Sequence, residues 1–153
     1  MERDRKSARY KRIFEQLVPL MEKTADPSAR MATIVALLHH KIPYFFWTGF
    51  YLLKEGLLIV HSYQGPLACQ VLPLHTGVCW AGIDRNETVL VPDVHLFPGH
   101  IACDTRSRSE IVVPLRNSTG SVAGVLDIDS RTPHSFDTTD ALWLEKIVNL
   151  VFN

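Results

Sequence analysis

Apolar residues near the start of the chain recur at steps of three and four positions. They are Tyr10, Ile13, Phe14, Leu17, Leu20 and Met21. This spacing predicts an amphipathic helix over roughly the first two dozen residues. Asp26 followed by Pro27 predicts the N-cap and first turn of a second helix. Its apolar stripe is Met31, Ile34, Val35 and Leu38, and His39, His40 and Lys41 are expected to end it before Pro43.

After residue 44 the pattern changes to short runs rich in aromatic and aliphatic residues. Runs at 45–53 and 57–63 flank the turn-forming residues 54–56 and predict a β-hairpin. Runs at 110–115 and 122–128 are joined by Asn117, Ser118, Thr119 and Gly120. These two runs predict a second hairpin.

Between the two predicted hairpins, residues 65–109 contain many prolines and glycines and one short apolar run at 88–91. The segment is therefore expected to be mostly loop with a brief strand. A loop of this length inside a compact domain usually serves a function.

The end of the chain predicts a closing helix. Phe136 directly precedes Asp137, which is the arrangement of a hydrophobic staple residue before a helix N-cap. Asp140 then falls in the first turn of the helix. The expected apolar face consists of Leu142, Ile147, Val148 and Val151. With hairpins in the middle, the pattern predicts an α+β fold, an antiparallel β-sheet flanked by N- and C-terminal helices, as one domain over residues 1–153.

Composition narrows the function classes. The 153 residues are 46% hydrophobic, enough for one core, and 16 basic residues balance 16 acidic ones. This balance argues against a nucleic acid or an anionic membrane as a partner. The first twelve residues are charged throughout and lack the apolar stretch of a secretory signal, and no apolar run approaches the length of a membrane span. A cytoplasmic protein is expected.

Three cysteines, Cys69, Cys79 and Cys103, are an odd number for permanent cross-links. Cys103 has His100, Arg106 and Arg108 close in sequence, and nearby cations lower the pKa of a thiol. Those residues alone are equally compatible with a small buried thiol. Cys69 lies between glycine and proline signals, in a loop that permits movement, but Cys79 stays open as its alternative in any thiol pair.

Acidic and aromatic residues are predicted to share one face of the sheet. Asp127 and Asp129 are two apart on one strand, and Glu110 opens the strand expected to pair with it. Clustered carboxyls raise one another's pKa, so one can donate a proton while others receive an ammonium group. Trp47 and Tyr51 are four apart on a strand and suit a thioether. The alternative interpretations are that the acidic residues are simply solvated at strand ends and that the two aromatic residues belong to the ordinary core.

A metal site is not predicted. His95, His100, Cys103 and Asp104 are the candidate ligands, but their spacing matches neither a CxxC nor an HExxH motif. Nothing in the sequence indicates an organic cofactor, so none is expected.

Five motifs appear in order between Gly65 and Ser130, with WTGFY upstream of them. They are GPLAC, GVC, VPDVHLFPGHIACD, SEIVVPL and GVLDIDS. Together they closely resemble the free methionine-R-sulfoxide reductases, and the resemblance covers most of the chain after the first forty residues. Trp80 after GVC departs from the small residue expected there.

The resemblance implies a GAF fold, reduction of the R epimer of free methionine sulfoxide, and regeneration by thioredoxin. It implies that Cys103 is the nucleophile, that Cys69 resolves the sulfenic acid into a disulfide, and that Cys79 is an auxiliary thiol. Glu110 is then expected to act in catalysis, and the substrate to be bound by Trp47, Tyr51, Glu110, Asp127 and Asp129. Relatives suggest a homodimer, although a monomer would also use the stripe of the first helix.

Two other functions stay open at this point. A GAF module that binds a small molecule without catalysis would be expected to carry an output domain, and the sequence ends after its closing helix. A redox sensor would explain the cysteines but not the acidic residues beside the aromatic ones.

Overall fold

The computed structural model describes residues 2–100 and 103–153. The strands are β1 (Trp47–Lys54), β2 (Leu57–Gln64), β3 (Val71–Leu72), β4 (Val89–Val91), β5 (Ser109–Arg116) and β6 (Val122–Ser130). The α-helices are α1 (Glu2–Met21), α2 (Pro27–Lys41), α3 (Gly77–Arg85) and α4 (Thr138–Val148). A 3-10 turn covers Val94–Leu96.

The six strands form one antiparallel sheet in the order β3-β2-β1-β6-β5-β4. Both predicted hairpins are present, as β1 with β2 and β5 with β6. Pairing of β1 with β6 joins them into one sheet. The α+β prediction of an antiparallel sheet with helices at both ends is confirmed.

Each face of the sheet packs against helices, because strand residues alternate between the two faces. Phe50, Ile111, Leu126 and Ile128 form the main core with α1, α2 and α4. Val112 and Val125 face the other way and pack with Val78 and Trp80 of α3. Gly82 lets α3 approach closely, since a Cβ there would lie 2.7 Å from Cγ1 of Val112. The candidate functional site lies on this second face, beside the short helix α3.

The helix starts agree with the sequence prediction. The Asp26 side chain accepts a hydrogen bond from the Ser28 backbone N–H and caps α2. Asp137 and Asp140 form a reciprocal capping box at the start of α4. Within the described part of the chain, no helix combines the length and apolar character needed to cross a membrane.

Three details of the prediction are wrong. Helix α3 falls within the segment expected to be loop; it is short, begins at a glycine, has no side-chain cap and contains Gly82. Leu20 and Leu142, both expected on apolar faces, are 40% and 61% exposed. In α4 the buried position is taken by Leu144 instead.

A buried ionic network ties α1 to α4. Lys6 Nζ donates to Asp140 Oδ2 over 2.7 Å, and Tyr10 and Tyr44 each donate to Asp140 Oδ1 over 2.6 Å. Asp140 is fully buried and Lys6 is 7% exposed. A buried charge that loses its partner is strongly destabilising.

We therefore expect Asp140→Asn to lower the free energy of unfolding by about 3 kcal/mol, because the new amide presents N–H donors to Lys6. Urea unfolding measures the change. Glu15→Gln is the control, since it breaks only the exposed pair with Lys11 and is expected to keep the wild-type midpoint. Equal midpoints for wild type and Asp140→Asn would show that the network does not hold α1 in place.

Candidate functional site

Strand register brings three carboxyl groups together on the α3 face of the sheet. Glu110 of β5 pairs directly with Asp129 of β6, and Asp127 lies two residues earlier on the same face. Glu110 and Asp127 are each only 6% exposed, and Asp129 is half-buried. We call these three residues the acidic trio. The convergence that the sequence predicted is present.

Burial governs the ionisation of the acidic trio. It raises the pKa of Glu110 well above the ordinary range, and the charges of Asp127 and Asp129 add to the effect. Burial likewise raises the pKa of Asp127 and of Asp129. Among the described residues that line the cavity beside the trio there is no lysine or arginine. The trio therefore favours either a bound proton or a cationic ligand.

Trp47 and Tyr51 form an aromatic wall beside the acidic trio. Trp47 pairs with Asp129 across the β1–β6 register, and Tyr51 lies on the same face of β1. Their rings stack with centroids 5.8 Å apart, and Tyr63 stacks on Trp47 at 5.3 Å. We call Trp47 and Tyr51 the aromatic pair. They are buried, and both line the same cavity as the acidic trio.

Cys69 and Cys103, 34 positions apart in the sequence, are joined by a disulfide with a Cα–Cα distance of 5.5 Å. Cys103 lines the cavity, and Cys69 is half-buried between β2 and β3. The pairing implied by the resemblance is therefore present. Ile101 and Ala102, the part of the GHIACD motif that precedes Cys103, lie outside the described residues.

Cys79 is a separate, buried thiol in the first turn of α3. Its sulfur lies within 4.8 Å of a carboxylate oxygen of Glu110 and of Asp127. Burial raises the pKa of Cys79, and the nearby charges of Asp127 and Glu110 raise it further. Cys79 therefore belongs to the acidic side of the cavity and not to the thiol pair.

Cys79, Glu110 and Asp127 are also the described residues with the spacing to hold a metal ion. The sequence did not suggest this set, because its members come from α3, β5 and β6. Burial raises the pKa of each of these groups, which opposes the loss of protons that metal binding requires. Chemically, the set fits a proton and an organic cation better than a metal.

Two of the cations expected near Cys103, Arg106 and His100, have other partners. Arg106 forms an ion pair of 2.7 Å with Asp104 and lies over the ring of Phe46 at 5.0 Å. His100 Nε2 lies 3.9 Å from Glu110 Oε1, and burial lowers the pKa of this imidazole, with His95 adding to the effect. His100 thus contributes mainly as a neutral group at physiological pH.

Sequence reasoning missed the first turn of α3, which lines the cavity through Thr76, Gly77 and Val78. No side chain caps this helix, because the Thr76 hydroxyl donates to the carbonyl of Leu74 instead. The first N–H groups of a helix have no partner within the helix and attract anions. The only sequence signal was Thr76 before Gly77, which is too common to single out.

This chain is similar to a known domain family and to a known enzyme over most of its length. A family model for the GAF domain matches residues 24–151. The free methionine-R-sulfoxide reductase of Escherichia coli (strain K12) is 42% identical over 120 residues, which cover 78% of this chain and 72% of that protein.

Solved structures also match this chain over most of its length. The free methionine-R-sulfoxide reductase from Neisseria meningitidis, in complex with its substrate, matches with a TM-score of 0.90 at 40% identity, covering 95% of this chain and 87% of that one. The reduced form of fRMsr of Staphylococcus aureus matches with a TM-score of 0.88 at 39% identity, covering 93% and 92%.

The electrostatics of the acidic trio predict an unusual pH dependence of stability. A carboxyl whose pKa is raised on folding stabilises the fold below its ordinary pKa of about 4.3, and that contribution is lost as the pH rises through the raised value. Each pKa unit corresponds to about 1.4 kcal/mol once the group ionises. Glu110→Gln removes this titration but keeps a side chain that can donate a hydrogen bond.

We expect Glu110→Gln to unfold at a higher urea concentration than the wild type at pH 8, and the two midpoints to converge near pH 4. Glu87→Gln, an exposed glutamate, is the control and should leave the pH profile unchanged. A Glu110→Gln protein that is less stable than the wild type at pH 8 would contradict the raised pKa.

Proposed function

Because the chain belongs to the free methionine-R-sulfoxide reductases, which are built on a GAF domain, we propose that it reduces free methionine-R-sulfoxide with Cys103 as the nucleophile. The observation that carries this proposal is the Cys69–Cys103 disulfide at a cavity lined by the acidic trio and the aromatic pair. A pair of thiols that can exchange between dithiol and disulfide is what sulfoxide reduction requires.

The cavity suits each end of a free amino acid. The substrate ammonium binds the acidic trio, where it supplies a positive charge beside carboxyl groups that no described lysine or arginine of the cavity lining neutralises. Its carboxylate lies against the uncapped first turn of α3. Its methyl group contacts the aromatic pair, since thioether and methyl groups pack well on aromatic rings. A peptide-bound methionine sulfoxide has neither charge on its backbone, so the free amino acid is preferred.

The chemistry follows from the two kinds of group at the cavity. The Cys103 thiolate attacks the sulfoxide sulfur while Glu110, protonated through its raised pKa, donates a proton to the sulfoxide oxygen. The attack forms a bond between the Cys103 sulfur and the substrate sulfur. The protonated oxygen then passes to the Cys103 sulfur, the bond between the two sulfurs and the S–O bond of the substrate break, and methionine leaves with Cys103 as a sulfenic acid. Asp127 and Asp129 keep the ammonium in place during the attack.

Cys69 completes the turnover. Its thiolate attacks the Cys103 sulfur, an S–S bond replaces the S–O bond, and the oxygen departs as water. A dithiol reductant must then return both cysteines to thiols. We propose thioredoxin for this role, in a reducing compartment such as the cytoplasm, because Cys103 is exposed.

The same proposal treats residues 1–153 as a single catalytic GAF domain. The proposal of a homodimer rests on the resemblance alone. The apolar stripe of α1 does not support it independently, because Tyr10, Ile13 and Leu17 pack into the core of their own chain.

An epimer assay tests the activity. With dithiothreitol as reductant, the wild type is expected to form methionine from free methionine-R-sulfoxide and none from the S epimer. Cys103→Ser is expected to form none from either, because a hydroxyl does not replace the thiolate. A small-molecule sensor would give no methionine with any epimer, and that result in the wild type would overturn the proposal.

Glu110→Gln is expected to lower turnover by about a hundredfold or more, because the proton donor is lost. Steady-state methionine formation measures it, with Glu87→Gln as the matched control at an exposed position. Since the first variant is expected to be folded and even stabilised, wild-type turnover would remove Glu110 from the mechanism.

A further inference from the structure

Side chains of β1 hold the loop that carries Cys69. This Cys69 loop, residues 65–70, connects β2 to β3. The Tyr51 hydroxyl donates a hydrogen bond of 2.9 Å to the backbone carbonyl of Cys69 itself. The Trp47 indole N–H donates one of 3.0 Å to the carbonyl of Pro66. Both donors of the aromatic pair thus end on the same short loop.

The donors are rigid. Tyr51 is 3% exposed and Trp47 is 5% exposed, and each ring stacks on the other. The indole N–H can only donate. Burial raises the pKa of the Tyr51 phenol, and the charge of Asp127 raises it further, so the hydroxyl keeps its proton. Strand β1 is paired on both sides, which fixes the origin of both hydrogen bonds.

The start of the Cys69 loop is equally constrained. Gly65 has a φ of +118°, and a Cβ at this position would lie 2.7 Å from the carbonyl oxygen of Phe46. A glycine is therefore needed for the backbone to run directly against β1. The loop leaves β2 in one direction, and the two hydrogen bonds set where Cys69 lies.

We propose that Tyr51 and Trp47 are positioning residues for the resolving thiol, holding the Cys69 loop where its sulfur reaches Cys103. This inference rests on the proposed function and adds a second role to the aromatic pair. The wall that contacts the substrate methyl group also sets the position of the thiol that acts in the following step.

The step that the two residues assist is disulfide formation. The Cys69 thiolate gives an electron pair to the Cys103 sulfur, the S–S bond forms and the S–O bond of the sulfenic acid breaks. The hydroxide that leaves takes up a proton and becomes water. Cys69 is oxidised and the Cys103 sulfur is reduced, so no further oxidant is needed. Holding the loop raises the effective concentration of one sulfur at the other.

The test measures the thiol–disulfide equilibrium of the whole chain against dithiothreitol, which needs no substrate. Tyr51→Phe keeps the ring and removes the hydroxyl, and Trp47→Phe removes the indole donor. Each is expected to lower the equilibrium constant for the disulfide about fivefold, the factor for a hydrogen bond of ordinary net strength. Tyr63→Phe is the control, because Tyr63 stacks on Trp47 and its hydroxyl has no partner among the described residues.

A second arm follows the resolving step without substrate binding. Hydrogen peroxide oxidises the reduced protein, and dimedone traps whatever sulfenic acid has not yet become disulfide. Tyr51→Phe and Trp47→Phe are expected to give several times more trapped Cys103 than the wild type, and Tyr63→Phe the wild-type amount.

The proposal is overturned if either of the first two variants keeps the wild-type equilibrium, or if Tyr63→Phe shifts it equally. Failure of the proposed function has a different signature. In that case the wild type forms no methionine, whatever the variants do to the disulfide.

Discussion

The site depends on the position of β6 between β1 and β5. Its register with β1 sets Asp129 opposite Trp47, and its register with β5 sets the same residue opposite Glu110. A slip of one residue in either pairing would turn every side chain to the opposite face. Ile128, between the two acids of β6, is fully buried in the main core and opposes such a slip. Packing on one face thus fixes the chemistry on the other.

Stability and chemistry make opposite demands on this strand. No lysine or arginine is among the described residues that line the cavity beside the acidic trio, so burial favours the protonated state and disfavours the ionised fold. The rest of the molecule offsets that cost through the apolar core on the opposite face of the sheet. Functional sites commonly retain such local destabilisation, because the same burial that weakens the fold prepares a proton donor.

Local rules predicted the elements that obey a simple period. Strand alternation was enough to bring Asp127, Asp129 and Glu110 together, and the cap at Asp137 placed α4. Helix α3 was missed because nine residues that begin with glycine give little periodic signal, and the cavity residues of its first turn were missed with it. The pairing of Cys69 with Cys103 came from resemblance, since spacing along a loop does not determine which thiols meet. The hydrogen bonds to the Cys69 loop join distant backbone carbonyls, which no sequence pattern marks.

The burial of Cys79 bears on the fidelity of the redox cycle. Disulfides are shuffled by thiolates, and this thiol is kept protonated by its surroundings. Cys79 lines the same cavity as Cys103, and as a thiolate it would be a rival nucleophile able to form a mispaired disulfide. The acidic environment therefore disfavours attack by this third sulfur, which favours exchange confined to Cys69 and Cys103.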